Sequence, residues 1–170
     1  QLLLQAAQRI AGCLGEDDSV ARLANDEFTI ILPHAHDPAA VERLVQALLQ
    51  ALGQPYALAG TTAFCSASAG ISLFPDHGST DEELLKNATQ ALRAARQLGR
   101  SHFAWCTPEL QYAAQVRAEL IHDLHGALVN DQMQVHYQPV VDLASGRITK
   151  VEALLRWLHP ERGWISPADR

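Results

Sequence analysis

Two charged side chains, Glu152 and Arg156, stand four residues apart inside an otherwise apolar run, Val151-Glu152-Ala153-Leu154-Leu155-Arg156-Trp157. A strand turns successive side chains to opposite faces. Val151, Ala153, Leu155 and Trp157 then share one face, and Lys150, Glu152, Leu154 and Arg156 the other. Four residues of strand cover about 13 Å, too far for the acid and the guanidinium to pair with each other. Alternation of this kind is ordinary in an antiparallel sheet with one face in water. Turned into a barrel or cleft, the same face needs partners for its charges: a divalent cation for the carboxylate and a phosphate for the guanidinium.

Other groupings point less clearly to chemistry. His34, His36 and Asp37 have the types of a metal cluster, but Asp37 precedes Pro38 and reads as a helix cap in a solvated loop. His122 and His125 share a helix side with Asp123 nearby; no third ligand is indicated, so a polar helix face is the simpler reading. Trp105, Trp157 and Trp164 read as core or loop anchors rather than as stacking platforms for bases.

The elements that must position these residues follow from local pattern. A helix runs from the start of the chain to about Leu14, with Gly15 ending it. Ser19–Leu23 and Phe28–Leu32 form a hairpin about Ala24-Asn25-Asp26-Glu27. Asp37 caps a helix carrying Val41, Leu44, Val45, Leu48, Leu49 and Leu52 on one face, and Gly53 closes it. Tyr56–Leu58 and a long run from Thr61 to Leu73, broken at Gly70, read as a second hairpin. Thr80 and Glu83 have capping-box spacing, each able to satisfy the other's free N–H, and open a helix to Leu98. His102–Trp105 is a short strand. The alternation of helix and strand implies an α/β layer structure. Thr107-Pro108 then starts a helix striped with Leu110, Ala113, Val116, Leu120, Ile121, Leu124 and Leu128, about 30 Å long, the length of a spacer between folded units. Two strands, Gln134–Leu143 and Arg147–Trp157, follow around Ala144-Ser145-Gly146, then a polar loop from His159 to Gly163. Ser166 and Pro167 have the types of a helix cap and first helical residue.

Composition bounds the function. The 170 residues, 48% hydrophobic and 19% charged, suit one soluble domain or parts of two. Thirteen basic against 19 acidic residues give a net charge of −6, the wrong sign for a protein that coats nucleic acid. No apolar run approaches the ~20 residues of a membrane span, and the first residues lack a basic-then-apolar pattern, so membrane insertion of this segment is not expected. Cys13, Cys65 and Cys106 are scattered and odd in number, which fits a reducing, cytoplasmic setting. A first residue that is Gln, already mid-helix in pattern, and a helix start at the other end suggest an internal piece of a longer protein, whose missing part is free to carry a membrane tether.

The later residues carry a family resemblance. Tyr137-Gln138-Pro139-Val140-Val141-Asp142-Leu143, Gly146-Arg147, Val151–Trp157 with Glu-Ala-Leu at 152–154, His159-Pro160-Glu161-Arg162-Gly163 and Ile165-Ser166-Pro167-Ala168 stand in one order that resembles the opening of an EAL domain. The resemblance implies the first strands of a (β/α)8-like barrel that hydrolyses cyclic di-GMP to linear pGpG with two Mg²⁺ or Mn²⁺ ions. It implies Glu152 as a metal ligand, Arg156 as a contact to the substrate phosphate and Gln138 as a lining residue at the substrate end. The catalytic residues fall mostly outside this chain, so residues 1–170 alone are expected to be inactive.

The earlier residues resemble the C-terminal part of a GGDEF domain, a nucleotidyl-cyclase-like α/β sandwich. Ala24-Asn25-Asp26-Glu27-Phe28 stands where that family has Gly-Gly-Asp-Glu-Phe, and Ser68-Ala69-Gly70-Ile71-Ser72, Glu82-Glu83-Leu84-Leu85 and Gly99-Arg100 fit the same family. Both signature glycines are replaced. Asn tolerates a positive φ, whereas Ala is strained by one and adds a methyl group. Asp26 keeps the metal-binding acid; Arg96 and Arg100 occupy the phosphate-contact positions, with arginine in place of lysine at 96. Thr89, Arg93 and Ser101 depart from the usual residues. The arginine-based product-inhibition motif would begin at Gly15, and only Asp18 of it is present.

Together these readings divide the chain into a partial, degenerate GGDEF domain at 1–106, a linker helix at 107–129 and the N-terminal part of an EAL domain at 130–170. The expected parent is a cyclic di-GMP phosphodiesterase whose GGDEF half no longer makes the dinucleotide but can still bind GTP and modulate its neighbour. The alternatives are a non-enzymatic cyclic di-GMP receptor and an active diguanylate cyclase. Family members commonly pair, so a second copy is an expected partner, and the 108–129 stripe serves equally as a packing face or a dimer seam.

Overall fold

The structure, a computed structural model, describes residues 1–165; the helix start expected at Ser166 and Pro167 lies outside them. It divides into two compact units, Gln1–Gln111 and Tyr112–Arg170.

In the first unit, α1 (Leu2–Ala11) ends three residues before the expected Leu14. Gly12 is its cap, and Cys13 and Leu14 donate to Ile10 and Ala11 three residues back, a tightened final turn that the continuing apolar pattern conceals. β1 (Ser19–Ala24) and β2 (Glu27–Ile31) form the expected antiparallel hairpin. α2 (Pro38–Leu52) starts as expected, with the Asp37 carboxylate accepting from Ala39 N at 3.0 Å. Its far end is closed by Arg9 of α1, whose guanidinium donates to the carbonyls of Ala51, Gln54 and Pro55 and lies 3.8 Å over the Tyr56 ring. A cation there satisfies free carbonyls at the negative end of the helix.

Among the described residues β3 (Tyr56–Leu58) pairs only with β4 (Thr61–Ala63). The long second arm expected to Leu73 is instead split: β5 (Ala69–Ile71) leaves the hairpin and pairs in parallel with β6 (Phe103–Trp105). The crossover between them is α3 (Asp81–Gln97). Glu83 N donates to Thr80 Oγ1 at 3.2 Å as a capping box requires, but the Glu83 carboxylate reaches Ser79 N and Oγ rather than the Thr80 amide. Those two Ser79 bonds hold the Glu83 carboxyl below the ordinary glutamate range.

Alternation along β5 sorts its neighbours. Ala69 and Ile71 join Phe103 and Trp105 against Val41, Val45 and Leu49 of α2. Gly70 faces α3, where a Cβ would sit 2.1 Å from Ala88 O and 2.2 Å from Leu92 N. Gly70 is therefore no strand break; it is the contact that lets a helix backbone approach the sheet, aided by the buried Ala91 and Ala95.

The second unit holds most of α4 (Pro108–Ala127) and an antiparallel sheet in the order β7 (Met133–Val141), β8 (Ile148–His159), β9 (Gly163–Ile165). The loop after Val141 is held by Asp142, which accepts from Ser145 N and Oγ. The polar stretch expected from His159 becomes the β8–β9 turn and the start of a third strand, because His159 and Gly163 are already register partners. Leu120 and Ala127 of α4 pack with Trp157 and Ile165, and Val116, Leu124 and Met133 surround them. Ile121 and Leu128 of the same stripe stay exposed. The Trp157 indole N–H donates to Gln132 Oε1 at 3.0 Å.

His159, buried at 5% exposure, locks the turn to the helix. Its Nδ1 accepts from the amides of Glu161 and Arg162, which places the proton on Nε2, where it is donated to Asp123 at 3.1 Å. Arg162 pairs with Glu119 beside it.

Two stability predictions follow the two units. Gly70→Ala should lower the unfolding free energy of the chain by about 3 kcal/mol, since the methyl meets backbone rather than a flexible side chain; a urea midpoint unchanged from the parent would contradict the close approach. His159→Ala should cost about 2 kcal/mol by leaving three bonded groups unpaired, read as a lowered melting temperature of the β7–β9 unit.

Candidate functional site

The expected EAL-side residues meet on one face of the three-stranded sheet. Directly opposed residues of an antiparallel pair point to the same side. The register sets Gln138 opposite Glu152, His136 opposite Leu154 and Gln134 opposite Arg156. Met133 opposite Trp157 belongs to the other face, the one packed on α4. Glu152 and Gln138 are thus cross-strand neighbours, with Arg156 four residues along β8. Glu152 and Gln138 are exposed and Arg156 is half-buried; Glu152 forms no ion pair among the described residues. A solvated carboxylate beside a carboxamide offers hard oxygen donors, the chemistry a divalent cation of the Mg²⁺ class takes. One carboxylate does not complete such a site, and among the described residues no group of three His, Cys, Asp or Glu side chains could hold a metal.

This face also carries two rings. Leu158 of β8 opposes Trp164 of β9, so Trp164 projects on the Glu152 side, 53% exposed. Its ring meets His136 edge-on, centroids 5.3 Å apart. Period-two counting along β7 alone puts His136 on this face. Trp164 lies past a turn, where the count restarts, and it stands half-exposed against His136 rather than in the core. Trp157 is fully buried, and Trp105 is half-buried with its N–H bonded to Glu42, as anchors should be.

In the first unit the degenerate signature caps the β1–β2 hairpin. Within that signature Asn25 alone takes a positive φ, +34°. Ala24 ends β1 in extended backbone opposite Glu27, so losing glycine at 24 adds a methyl without the strain expected of it. Arg22 Nε donates to Asn25 O at 2.7 Å and holds the turn. Asp26 is exposed and Phe28 half-buried. Glu27 pairs with Arg96 at 3.6 Å, so one of the two arginines expected at phosphate is engaged by the signature itself; Arg100 makes no ion pair among the described residues. At the expected product-inhibition position, Asp18 turns back to accept from Gly15 N at 2.8 Å.

The weaker groupings resolve as structural. His34 lies 3.6 Å from Asp17 and Asp37 caps α2. Asp123 is committed to His159, and His125 Nδ1 bonds to Ile121 O at 2.8 Å. Among the described residues no helix is long and apolar enough to cross a membrane.

Comparison with known proteins places both halves. Residues 1–102 match the family model of the diguanylate cyclase GGDEF domain, and residues 121–170 match that of the EAL domain. The chain is 40% identical over 167 residues to the cyclic di-GMP phosphodiesterase NbdA of Pseudomonas aeruginosa, covering 98% of this chain and 21% of NbdA. It is 39% identical over 168 residues to the bifunctional diguanylate cyclase/cyclic di-GMP phosphodiesterase MucR of the same organism, covering 99% of this chain and 24% of MucR. Among solved structures, the GGDEF domain of TpbB (YfiN) from Pseudomonas aeruginosa aligns with a TM-score of 0.63 and 30% identity over 67% of each chain. The chain spans about a quarter or less of the length of these curated relatives. With its α/β first unit, its hairpin signature and a match over residues 1–102, the chain belongs to the GGDEF domain family, followed by a segment that matches the EAL domain.

Proposed function

We propose that this chain is part of a cyclic di-GMP phosphodiesterase in which residues 1–106 are a regulatory GGDEF domain, 107–129 a connecting helix and 130–170 the N-terminal part of the hydrolytic EAL domain. The observation that carries the reading is the shared face of β7 and β8. A carboxylate, a carboxamide and a guanidinium, set on one side by register, match the three recognition needs of a metal-dependent phosphodiester hydrolase.

Glu152 is the residue that would hold a divalent ion, Mg²⁺ or Mn²⁺, in a two-ion site completed by further carboxylates. Such ions, when bound, supply an activated water and neutralise charge on the phosphate. Arg156 contributes a planar fork for a phosphate oxygen pair, and Gln138 beside Glu152 orients the substrate end. Similarity to NbdA, itself named a cyclic di-GMP phosphodiesterase, supports this substrate and reaction. The signature supports a regulatory first unit: Ala24 and Asn25 replace both glycines, and Glu27 lies within ion-pair distance of Arg96. Asp26 and Arg100 remain available for a GTP metal and phosphate, so GTP is the ligand assigned to that unit, in a cytoplasmic protein.

Glu152→Gln in the full-length protein should lower Mg²⁺-dependent conversion of cyclic di-GMP to pGpG by about 100-fold or more, at or above the roughly 10–100-fold lost when a group that merely supports a metal ligand is removed, without altering the circular dichroism spectrum. Unaltered turnover would remove Glu152 from the site. Wild-type protein that binds the dinucleotide and never cleaves it would make it a receptor instead. Titrating GTP into the same protein should change the hydrolysis rate and produce no cyclic di-GMP. Synthesis from GTP would show the first unit to be an active cyclase, and GTP without binding or effect would end its regulatory role.

A further inference from the structure

An exposed tryptophan demands a reason, because its large apolar ring gains most when buried. Trp164 is 53% exposed, yet its backbone is firmly held. Ile165 next to it is buried under α4, Gly163 before it turns at φ +71°, and the Pro160–Arg162 turn is locked through His159 to Asp123 and through Arg162 to Glu119.

The ring's contact is as informative as its exposure. Trp164 stands on β9 and His136 on β7, with β8 between them. Their rings nevertheless meet, centroids 5.3 Å apart and planes 67° from parallel. The pair therefore reaches across β8 on the Glu152 side. The β8 residues at their register positions are Leu154 opposite His136 and Leu158 opposite Trp164, and Arg156 lies midway between those two. The T-shaped contact steadies the indole against the imidazole, and the residue as a whole stays 53% exposed. A half-exposed indole on the same sheet face as a guanidinium is an arrangement suited to stacking a flat aromatic base near a phosphate.

We propose that Trp164, steadied by His136, is the stacking platform for one guanine ring of the dinucleotide whose phosphate Arg156 contacts. The inference rests on the reading of the β7–β8 face as a cyclic di-GMP site and adds a specificity-determining residue to it. A base ring on Trp164 fixes the distance from base to phosphate, so substrates lacking a purine lose this contact while keeping those to Arg156 and Glu152.

The test uses the full-length protein, Mg²⁺ and cyclic di-GMP. Trp164→Ala should raise KM about tenfold or more, in line with the loss of one base–aromatic stack, with kcat within about twofold. Trp164→Phe should keep KM near the wild-type value while losing the quenching of tryptophan emission that cyclic di-GMP causes in the wild type with metal chelated. A Trp164→Ala enzyme with unchanged KM, or a Trp164→Phe protein whose quenching equals the wild type's, overturns the platform while leaving the phosphodiesterase reading intact. The fluorescence arm decides the matter even where the alanine variant folds poorly. Wild-type protein that neither binds nor cleaves cyclic di-GMP overturns both readings together.

Discussion

Burial of Trp157 decides which way β8 faces. The indole is fully buried among Leu120, Ala127 and Ile165, and its N–H is bonded to Gln132. A one-residue slip of β8 would expose that ring and carry a charged neighbour onto α4, at a cost of several kcal/mol (roughly the hydrophobic loss of a large ring plus an unpaired polar group). Strand side chains alternate strictly, so anchoring residue 157 settles the side taken by residues 152, 154 and 156 as well. Pairing with β7 then places Gln138 beside Glu152. The candidate chemistry on one face is a consequence of packing on the other.

The first unit uses the same economy of contacts at its own tight points. Gly70 lets α3 sit against β5, while Ala69 and Ile71 on the opposite side meet α2. Charges close what packing leaves open: Arg9 at the end of α2, Asp37 at its start. The degenerate signature is stable in this frame because the one residue needing positive φ is Asn25, a residue that tolerates it. Beside it, Glu27 and Arg96 stand 3.6 Å apart, an ion pair between the signature and α3.

What could be read from sequence was what is local. Asp37-Pro38, the Thr80 cap and the Asn25-Asp26 turn are encoded within a few residues and form where expected, while the return arm of the Thr80–Glu83 box goes to Ser79 instead. The EAL-side face was legible too, since period-two alternation needs only the strand itself. Long-range choices were not. Nothing near Ala69–Ile71 says that it pairs with Phe103–Trp105, 34 positions away along the register; the nearer hairpin partner competes for it in any local reading. The same limit hid β9 and Trp164, whose side depends on a turn held by His159 and Asp123, 36 residues apart. Glu27 with Arg96 was hidden for the same reason.

The central claim is that the Glu152 carboxylate receives a divalent ion shared with a bound dinucleotide. Crystals of the full-length protein grown with Mn²⁺ and cyclic di-GMP, measured at the manganese absorption edge, test it directly. The account predicts an anomalous peak at about 2.1–2.2 Å from a Glu152 carboxylate oxygen, the usual reach of small divalent ions on hard oxygen, with a phosphate oxygen on the same ion and the Arg156 fork on that phosphate. A manganese peak bound by other residues, with Glu152 hydrated and apart from the dinucleotide, would contradict it.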